Sequence, residues 1–438
     1  MIKSFFRYLI VITLRFEASF VLRRYHPKIV AVTGSVGKTS TKDAIALALQ
    51  AVTSVRQSPK SYNSEIGVPL TILGLSNAWW NPIGWLKNIF YGLRLIIFRT
   101  SYPEWLVLEI GADRVGDIQS LGRWLSPDIA ILTSLPKVPV HVEFFSSPQA
   151  LFEEKGVLLA ATKSNGTIII NEDDEQIKII LNKLIAQKKL EGRKIIRIGW
   201  SKSADIRVEN EQISSDETGQ LIGLTCKVDY SGHTIPLRLN HLYAPHQLYA
   251  ILVALGVTLV AKYPLLSITQ ILETYTPPPG RGRLIEGIKN TFILDDSYNA
   301  SPVAMSAALE ALKSFPGSGR KIAVLGDMLE LGTYTIDAHR ELGQIASKIC
   351  DLIITVGVRA KFIDDGAFRN GFGKKKLQHF DDATVAGNTL ENLLIPGDII
   401  LVKGSQTVRL EKTVEEIMLH PELKKSLLAR QEPEWQNR

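Results

Sequence analysis

Cysteine is nearly absent: Cys226 and Cys350 are the two in 438 residues. They lie far apart and form no CxxC pair. That argues against a disulfide framework or a cysteine zinc site and fits a reducing compartment. The N-terminus lacks the ~20 apolar residues that span a bilayer. Its longest clean apolar run, Tyr8 to Leu14, is broken by Arg15 and Glu17. No A-x-A-like cleavage site is evident after it, so residues 1–27 are expected to stay on the protein as an apolar, basic helix. No Lys/Arg tract is interleaved with aromatics in the way a single-strand nucleic-acid binder needs, and a formal net charge of +7 is moderate for this length. Nucleic-acid binding is therefore not expected, while an anionic substrate or an anionic membrane face is allowed. No internal repeat or low-complexity tract is visible.

What remains is globular. Hydrophobic content is 45% and charged content 22%, ordinary values for a packed domain, and the length suits roughly two or three domains. Residues 29–33, "IVAVT", form a β-branched run followed by glycines and the helix-like "KTSTKDAIALALQAV". Further strand-like runs are "WLVLEIG" (105–111), "DIAILTS" (128–134) and "GTIIIN" (166–171), with periodic helices between them. This pattern predicts an α/β fold with a mostly parallel sheet. Shorter alternating stretches over 204–237 suggest a small antiparallel addition, and a helix is expected at about 246–261. "YTPPPGRGR" (275–283) reads as a linker. After it the β/α alternation restarts, which predicts a second, Rossmann-like α/β domain. The expected division is 1–27 as the helix, 28–276 as a P-loop central ATPase domain and 277–438 as the C-terminal domain.

The first chemical motif is "TGSVGKTS" at 33–40. The eight-residue Walker pattern begins with Gly, and here that position is Val32; the match is to a shorter T-G-x-x-G-K-T form. The mechanism survives the difference. Gly34 and Gly37 let the backbone approach phosphate oxygens, with Ser35 and Ser40 flanking them, and the helix start favours an anion. Lys38 can reach the β- and γ-phosphates, and the Thr39 hydroxyl can bind Mg²⁺.

Six segments together say more: "TGSVGKTSTKD", "SYNSEIGVPLT" (61–71), "EIGADRVGDI" (109–118), "LDDSYNASP" (294–302), "AVLGDMLELG" (323–332) and "LVKGS" (401–405). In this order they resemble the Mur ligase family, most closely its D-alanyl-D-alanine-adding branch. The resemblance implies ATP-dependent activation of a carboxylate as an acyl phosphate, then attack by an amine to give amide, ADP and phosphate. The implied substrates are a cell-wall peptide precursor and D-alanyl-D-alanine or a single amino acid. The implied place is the cytoplasm, and a monomer is expected. A ligase for a non-peptidoglycan peptide or polymer is the alternative of the same chemistry. A nucleotide-binding scaffold without catalysis is the alternative of another class.

The resemblance also implies residue roles. Glu109 would bind Mg²⁺ with Thr39, His141 would serve a second metal, and Lys155 would be carbamylated. Each has an ordinary alternative: a strand-end acid, a loop histidine, and a solvated helix lysine beside Glu153 and Glu154. Asp296 and Asn299 are expected at ATP, with Tyr298 close by. Arg281 or Arg283 would touch the γ-phosphate, and the sequence leaves the choice open. Asn63, Lys403 and Ser405 are expected to face substrate. Asp327 and Glu330 match the pattern, with a structural role as good as a catalytic one. Three positions depart from it: His246-Gln247 replaces the usual His-Asn, which leaves an adenine contact for Gln247 in doubt, while Ser64 and Gln406 stand where Asn and Arg are usual.

Two segments fall outside the pattern. Only about thirty residues precede the loop, too few for the uridine-nucleotide-binding domain that family enzymes carry there; a different N-terminus is expected. At 76–104 about twenty extra residues carry Trp79, Trp80, Trp85, Phe90, Tyr91 and Phe98 among Lys87, Arg94 and Arg99. Such aromatic-basic apolar stretches suit a helix lying on a membrane face or in a partner groove; the competing expectation is a helix packed on the core. With the N-terminal helix, it is expected to make peripheral contact with the cytoplasmic membrane face.

Overall fold

The computed structural model describes residues 2–59, 62–79, 81–112, 114–215, 217, 221–432 and 435, with side chains from residue 6 onward. Trp80 lies outside the described residues. The chain opens with helix α1 (Ile2–Tyr25). A nine-stranded sheet follows: β1 (Lys28–Thr33), β2 (Val55–Gln57), β3 (Trp105–Glu109), β4 (Ile129–Leu132), β5 (Thr167–Asn171), β6 (Lys194–Gly199), β7 (Ile206–Ser215), β8 (Leu221–Tyr230) and β9 (His233–Leu239). Their spatial order is β2-β3-β1-β4-β5-β6-β7-β8-β9. Strands β1 to β7 pair in parallel, and β7, β8 and β9 pair antiparallel. The antiparallel addition thus continues the parallel sheet instead of standing apart. Strand β6, "KIIRIG", is an element the sequence reading had not singled out; its mixed exposure at the junction of the two parts blurs the alternation.

Helices α2 (Lys38–Gln50), α3 (Gly67–Leu73), α4 (Pro82–Ile97), α5 (Asp117–Leu125), α6 (Pro148–Ala160), α7 (Glu175–Ala186), α8 (Leu248–Val260) and α9 (Leu265–Leu272) accompany this sheet. Several start where Ser, Asn or Asp meets Pro or an acid. Asn81, Ser147 and Asp174 each accept a backbone N–H from the first turn of α4, α6 and α7, and Pro82 and Pro148 take the position whose N–H has no helical partner. Alternate residues of the central strands face opposite ways. Val30, Val32, Val107 and Ile131 pack under α2 and α8. Ile29, Ala31, Leu106 and Leu108 pack under the other layer, which includes Ile10, Leu14, Ala18 and Val21 of α1 and Trp85 of α4.

The second sheet comprises β10 (Arg283–Gly287), β11 (Thr291–Asp295), β12 (Lys321–Gly326), β13 (Leu352–Val356), β14 (Leu377–Phe380) and β15 (Ile399–Lys403), in the order β10-β11-β15-β12-β13-β14. All pairs are parallel except β10–β11. Helices α10 (Pro302–Ser314), α11 (Thr335–Ala346), α12 (Lys361–Arg369), α13 (Ala383–Leu393), α14 (Glu411–Ile417) and α15 (Lys424–Leu427) flank it.

One buried group in the outer layer stands out. Glu17 of α1 is 1% exposed, and its carboxyl oxygens have no hydrogen-bond partner among the described residues. It fits only because Gly92 of α4 faces it; a Cβ there would lie 2.0 Å from Glu17 Oε2. Burial pushes the Glu17 pKa up from 4.5 to about 7. The fold therefore favours the protonated form. Its contribution is fully present below the unfolded value of 4.5 and is lost as pH rises through about 7. Glu17→Gln is expected to raise Tm at about pH 8 by on the order of a few degrees and to change it little at about pH 5. Calorimetry at the two pH values checks this.

Candidate functional site

The carboxyl ends of β1, β3 and β4 converge, and open α/β sheets bind ligands outside such ends. Strand β1 runs into the glycine loop. Gly34 has φ +143°, and a Cβ on it would lie 2.0 Å from Thr133 Oγ1 at the end of β4. Gly37 has φ +84° and opens α2. No other residue type holds both positions without strain. Ser35 lies between them, with its backbone N–H on the Ser134 carbonyl and its buried hydroxyl without a hydrogen-bond partner among the described residues.

Two lysines meet at this loop. Lys38, the first residue of α2, donates to the Gly34 carbonyl at 3.0 Å. Lys155, from α6, donates to the same carbonyl at 3.1 Å and is 2% exposed. It is no solvated helix lysine. Its neighbours in sequence take other tasks: Glu154 is buried and accepts the N–H groups of Gly116, Ile118 and Gln119 at the start of α5, while Glu153 pairs with Lys183 at the surface. Glu109 closes β3 one strand away, opposite Val32 in register. Its Oε2 accepts from Thr39 Oγ1 at 3.0 Å and its Oε1 lies 3.4 Å from Asn63 Nδ2.

His141 sits elsewhere. Its Nδ1 is 2.7 Å from Glu330 Oε2 of the second α/β unit, and both residues have left-handed backbones. The His141 hydrogen bond holds the Glu330 carboxyl below its ordinary range, against the opposing effect of burial. The Glu330 loop is itself braced by His339, whose Nε2 accepts from the Met328 N–H and whose Nδ1 faces the Thr335 carbonyl. Burial lowers the His339 pKa, which suits the neutral ring this pattern requires. Among the described residues no group of three or more His, Cys, Asp or Glu is placed to hold a metal ion.

The two units face each other across a cleft of about 540 Å³, lined by Gly37, Ser40 and Asp174 on one side and by Arg281, Asn299 and Lys403 on the other. That size suits a small-molecule ligand. The structure separates the two linker arginines. The Arg281 guanidinium lies 4.1 Å from the Tyr298 ring centroid and lines the cleft. Arg283 lies in β10 and donates to the Ser426 carbonyl. Tyr298 is held from its other neighbour, Arg430, whose guanidinium lies 5.1 Å from the ring and pairs with buried Glu411.

Other expected residues are placed plainly. Asp296, just past β11, forms a buried ion pair with Lys403 at the end of β15, Nζ to Oδ2 2.7 Å, and Lys403 also donates to the Asn299 carbonyl. Asn299 Oδ1 accepts the Ala300 N–H. Ser405 is 2% exposed; its hydroxyl accepts the Leu329 N–H, so it supports the loop that carries Glu330. Gln247 has both ends of its amide occupied. Its oxygen accepts from Tyr243 and Ala244, and its nitrogen donates to the carbonyls of Arg281 and Gly282. An amide has no more donors to offer. Gln247 pins the linker to the first unit.

Asp174 was missed. It accepts from Ser134 Oγ, Leu135 N, Gln176 N and Ile177 N, tying the exit of β4 to the start of α7. Burial raises its pKa against those bonds. The signal was the "NEDDE" after a strand, where an acid before a helix reads as a cap.

The comparisons with known proteins fall on the same frame. The Mur ligase middle domain matches residues 32–83 and 87–258, and the Mur ligase glutamate ligase domain matches residues 280–406. The chain belongs to the Mur ligase family. As a Mur ligase it is an ATP-dependent, ADP-forming ligase that joins a carboxyl to an amine. It is 27% identical over 405 residues to the UDP-N-acetylmuramoyl-tripeptide–D-alanyl-D-alanine ligase of Bacillus subtilis, covering 91% of this chain and 78% of the relative. The enzyme of the same name from Escherichia coli K12 is 28% identical over 403 residues, with the same coverage. The crystal structure of MurF ligase from Thermotoga maritima in complex with ADP superposes with a TM-score of 0.75 at 28% identity, covering 95% of this chain and 84% of that one. A Mycobacterium tuberculosis folylpolyglutamate synthase shares the fold at 13% identity and a TM-score of 0.63.

Proposed function

We propose that this Mur ligase adds D-alanyl-D-alanine, or an amino acid, to the terminal carboxylate of a cell-wall peptide precursor in the cytoplasm, as a monomer in peripheral contact with the membrane face. The observation that carries the chemistry is the meeting of Lys38 and Lys155 on the Gly34 carbonyl, beside the Thr39–Glu109 pair and across the cleft from Arg281. A cleft lined by two units of one chain supports the monomer. The named substrates of the relatives support the precursor and the amine.

In this reading the acceptor carboxylate attacks the γ-phosphorus of ATP, and the bond to ADP breaks. Lys38 and the loop N–H groups hold the phosphates, and Arg281 meets the γ-phosphate from the opposite wall. The amine nitrogen then attacks the acyl carbon, loses a proton, and phosphate leaves. Thr39 and Glu109 offer hard oxygen donors of the kind Mg²⁺ takes together with substrate phosphates. Bound there, Mg²⁺ would offset phosphate charge. We assign Lys155 as carbamylated in the working enzyme: a carbamate keeps one N–H for the Gly34 carbonyl and turns a buried cation into an anion able to support the metal. His141 and Glu330 hold the two units together at the edge of the cleft, which leaves a role for His141 at a second metal to a rearrangement of that pair. Asn63 is a substrate-side contact through Glu109. Lys403 positions Asp296 and Asn299 toward the nucleotide.

Phosphate release by the pure protein should require both an acyl acceptor and an amine. Mass spectrometry over UDP-linked and lipid-linked muramyl peptides, paired with D-alanyl-D-alanine and single amino acids, identifies the product. Turnover of ATP with neither co-substrate, and no new amide in any pairing, rejects the reading. The linker offers a sharper test. Arg281→Ala is expected to lower kcat by roughly 10-fold to 100-fold, as loss of one transition-state cation does, whereas Arg283→Ala should leave kcat within a few-fold. Equal loss in both variants would contradict the placement of Arg281.

A further inference from the structure

A second cavity, about 500 Å³, lies apart from the nucleotide cleft and shares none of that cleft's lining residues. Its walls include Asn63 and Arg114 from the loops around β3, and Arg7, Tyr8 and Val11 from α1. Asn63 joins it to the chemistry through Glu109 Oε1. The acids in its wall are engaged: Glu65 pairs with Arg7 at 3.1 Å, and Asp117 accepts the Arg114 N–H. Arg7 and Arg114 thus line a cavity that Asn63 links to Glu109, and Glu109 in turn accepts from Thr39.

The outer wall of this cavity continues into an uncovered surface. Helix α1 is apolar on two faces. One enters the core; on the other, Leu9, Ile12, Phe16 and Phe20 are 46%, 45%, 57% and 40% exposed. Helix α4 repeats this, with Trp85 inside and Ile83, Leu86, Phe90 and Ile97 each 64–68% exposed. The helices run side by side in the same sense: Glu17 sits against Gly92, and the Tyr25 hydroxyl donates to the carbonyls of Leu95 and Phe98. Neither helix has an exposed acid. The one carboxylate in the pair, Glu17, is buried, while Arg15, Arg23, Arg24, Lys87 and Arg94 surround the apolar stripes. Among the described residues no helix is long and apolar enough to cross a membrane.

Apolar stripes flanked by cations alone are the composition of helices that lie in the plane of an anionic lipid surface. A second copy of the chain would bring like charges together. We propose that the α1–α4 face rests on an anionic phospholipid surface, and that the Arg7–Arg114 cavity takes its acyl acceptor from that surface as a peptide carboxylate carried on a membrane lipid. The acceptor half rests on the ligase chemistry proposed above; the docking half deepens the membrane contact proposed there and stands on the two helix surfaces alone. Tyr8 and Val11 line the cavity while Leu9 and Ile12 of the same turns face the lipid, so one helix both docks and guides.

The full chain is mixed with vesicles of phosphatidylcholine alone or with phosphatidylglycerol. It should float only with the anionic vesicles, and added salt should weaken the attachment. The double variant Phe16→Glu/Phe90→Glu should stay in the soluble fraction, folded and monomeric. One acceptor peptide is then assayed free and anchored to the vesicles through an acyl chain. The anchored form should be used with a kcat/KM about tenfold higher or more, since anchoring raises effective concentration. The double variant should lose that advantage and keep its rate on the free peptide. Arg114→Ala should raise KM for either form and leave flotation unchanged. Failure to float with anionic vesicles at low salt, equal use of the two forms, or a dimer that Phe90→Glu dissolves would each overturn the proposal. Flotation without acceptor-dependent phosphate release from either form would reject the ligase reading, and the acceptor half with it, while upholding the docking surface.

Discussion

Lys38→Ala is expected to reduce acceptor-dependent ATP turnover by more than about 100-fold, because in the proposed mechanism the lost cation acts on charge that develops during transfer. The fold should survive. Lys38 is the first residue of α2, its side chain is half-buried, and alanine is a good helix former there. The geometry makes the result specific. The lysine arches back to the Gly34 carbonyl at 3.0 Å, so its ammonium is held over the loop whose N–H groups would meet phosphate. Phosphate release by the pure variant, with thermal unfolding as the control for folding, checks this. Full activity would remove the loop from the mechanism.

Lys155→Ala should be nearly inactive and partly recovered by a short carboxylic acid in the buffer. The side chain is 2% exposed, so whatever charge it carries sits in the interior beside the glycine loop. Its carbonyl partner, Gly34, is also that of Lys38, which brings two cationic groups to one oxygen. The proposed carbamylation would change the sign of one of them. The variant removes the anion, and an added carboxylate can enter the space left by the side chain. Rescue separates the carbamate from a purely structural lysine, because an added acid would not restore packing. A carbon-13 resonance from labelled carbon dioxide, present in the parent and absent in the variant, is the expected spectroscopic companion. Activity of Lys155→Ala without added acid would count against the assignment.

Much of this was legible because its signals are local. "IVAVTGSVGKTS" specifies strand, left-handed glycines and helix start within one short stretch, since β-branching, the positive φ of Gly34 and Gly37 and the helix N-terminus each act over a few residues. The central strands and the Ser147-Pro148 helix start follow the same way. The family resemblance extended that reach, and it placed Glu109, Lys155 and Asn63 where the structure brings Glu109 to Thr39 and Asn63, and Lys155 to the glycine loop.

Other features have no local signal. The partner of His141 lies 189 positions away at Glu330, in a different sheet unit, and a strained loop holds each of them. Arg281 and Arg283 are two residues apart and chemically identical. Only the turn of β10 into its pairing with β11 sends one to the cleft and the other toward Ser426. Gln247 was read by position as a nucleotide contact, yet its amide is consumed by four backbone groups that the chain brings together only after folding. The apolar N-terminus and the 76–104 insertion were read as helical and apolar, and the structure has α1 over Ile2–Tyr25 and α4 over Pro82–Ile97 there. Their sequences could not say which face is covered, because both faces of α1 are apolar. Packing of Ile10, Leu14, Ala18 and Val21 on the sheet decided it. Composition and short-range conformational preference thus set the elements, the phosphate loop and the family. Long-range contacts alone decided which arginine lines the cleft, which residue pairs with His141 and which face of α1 is covered, since a side chain's partner is fixed by the assembled backbone and not by its neighbours in sequence.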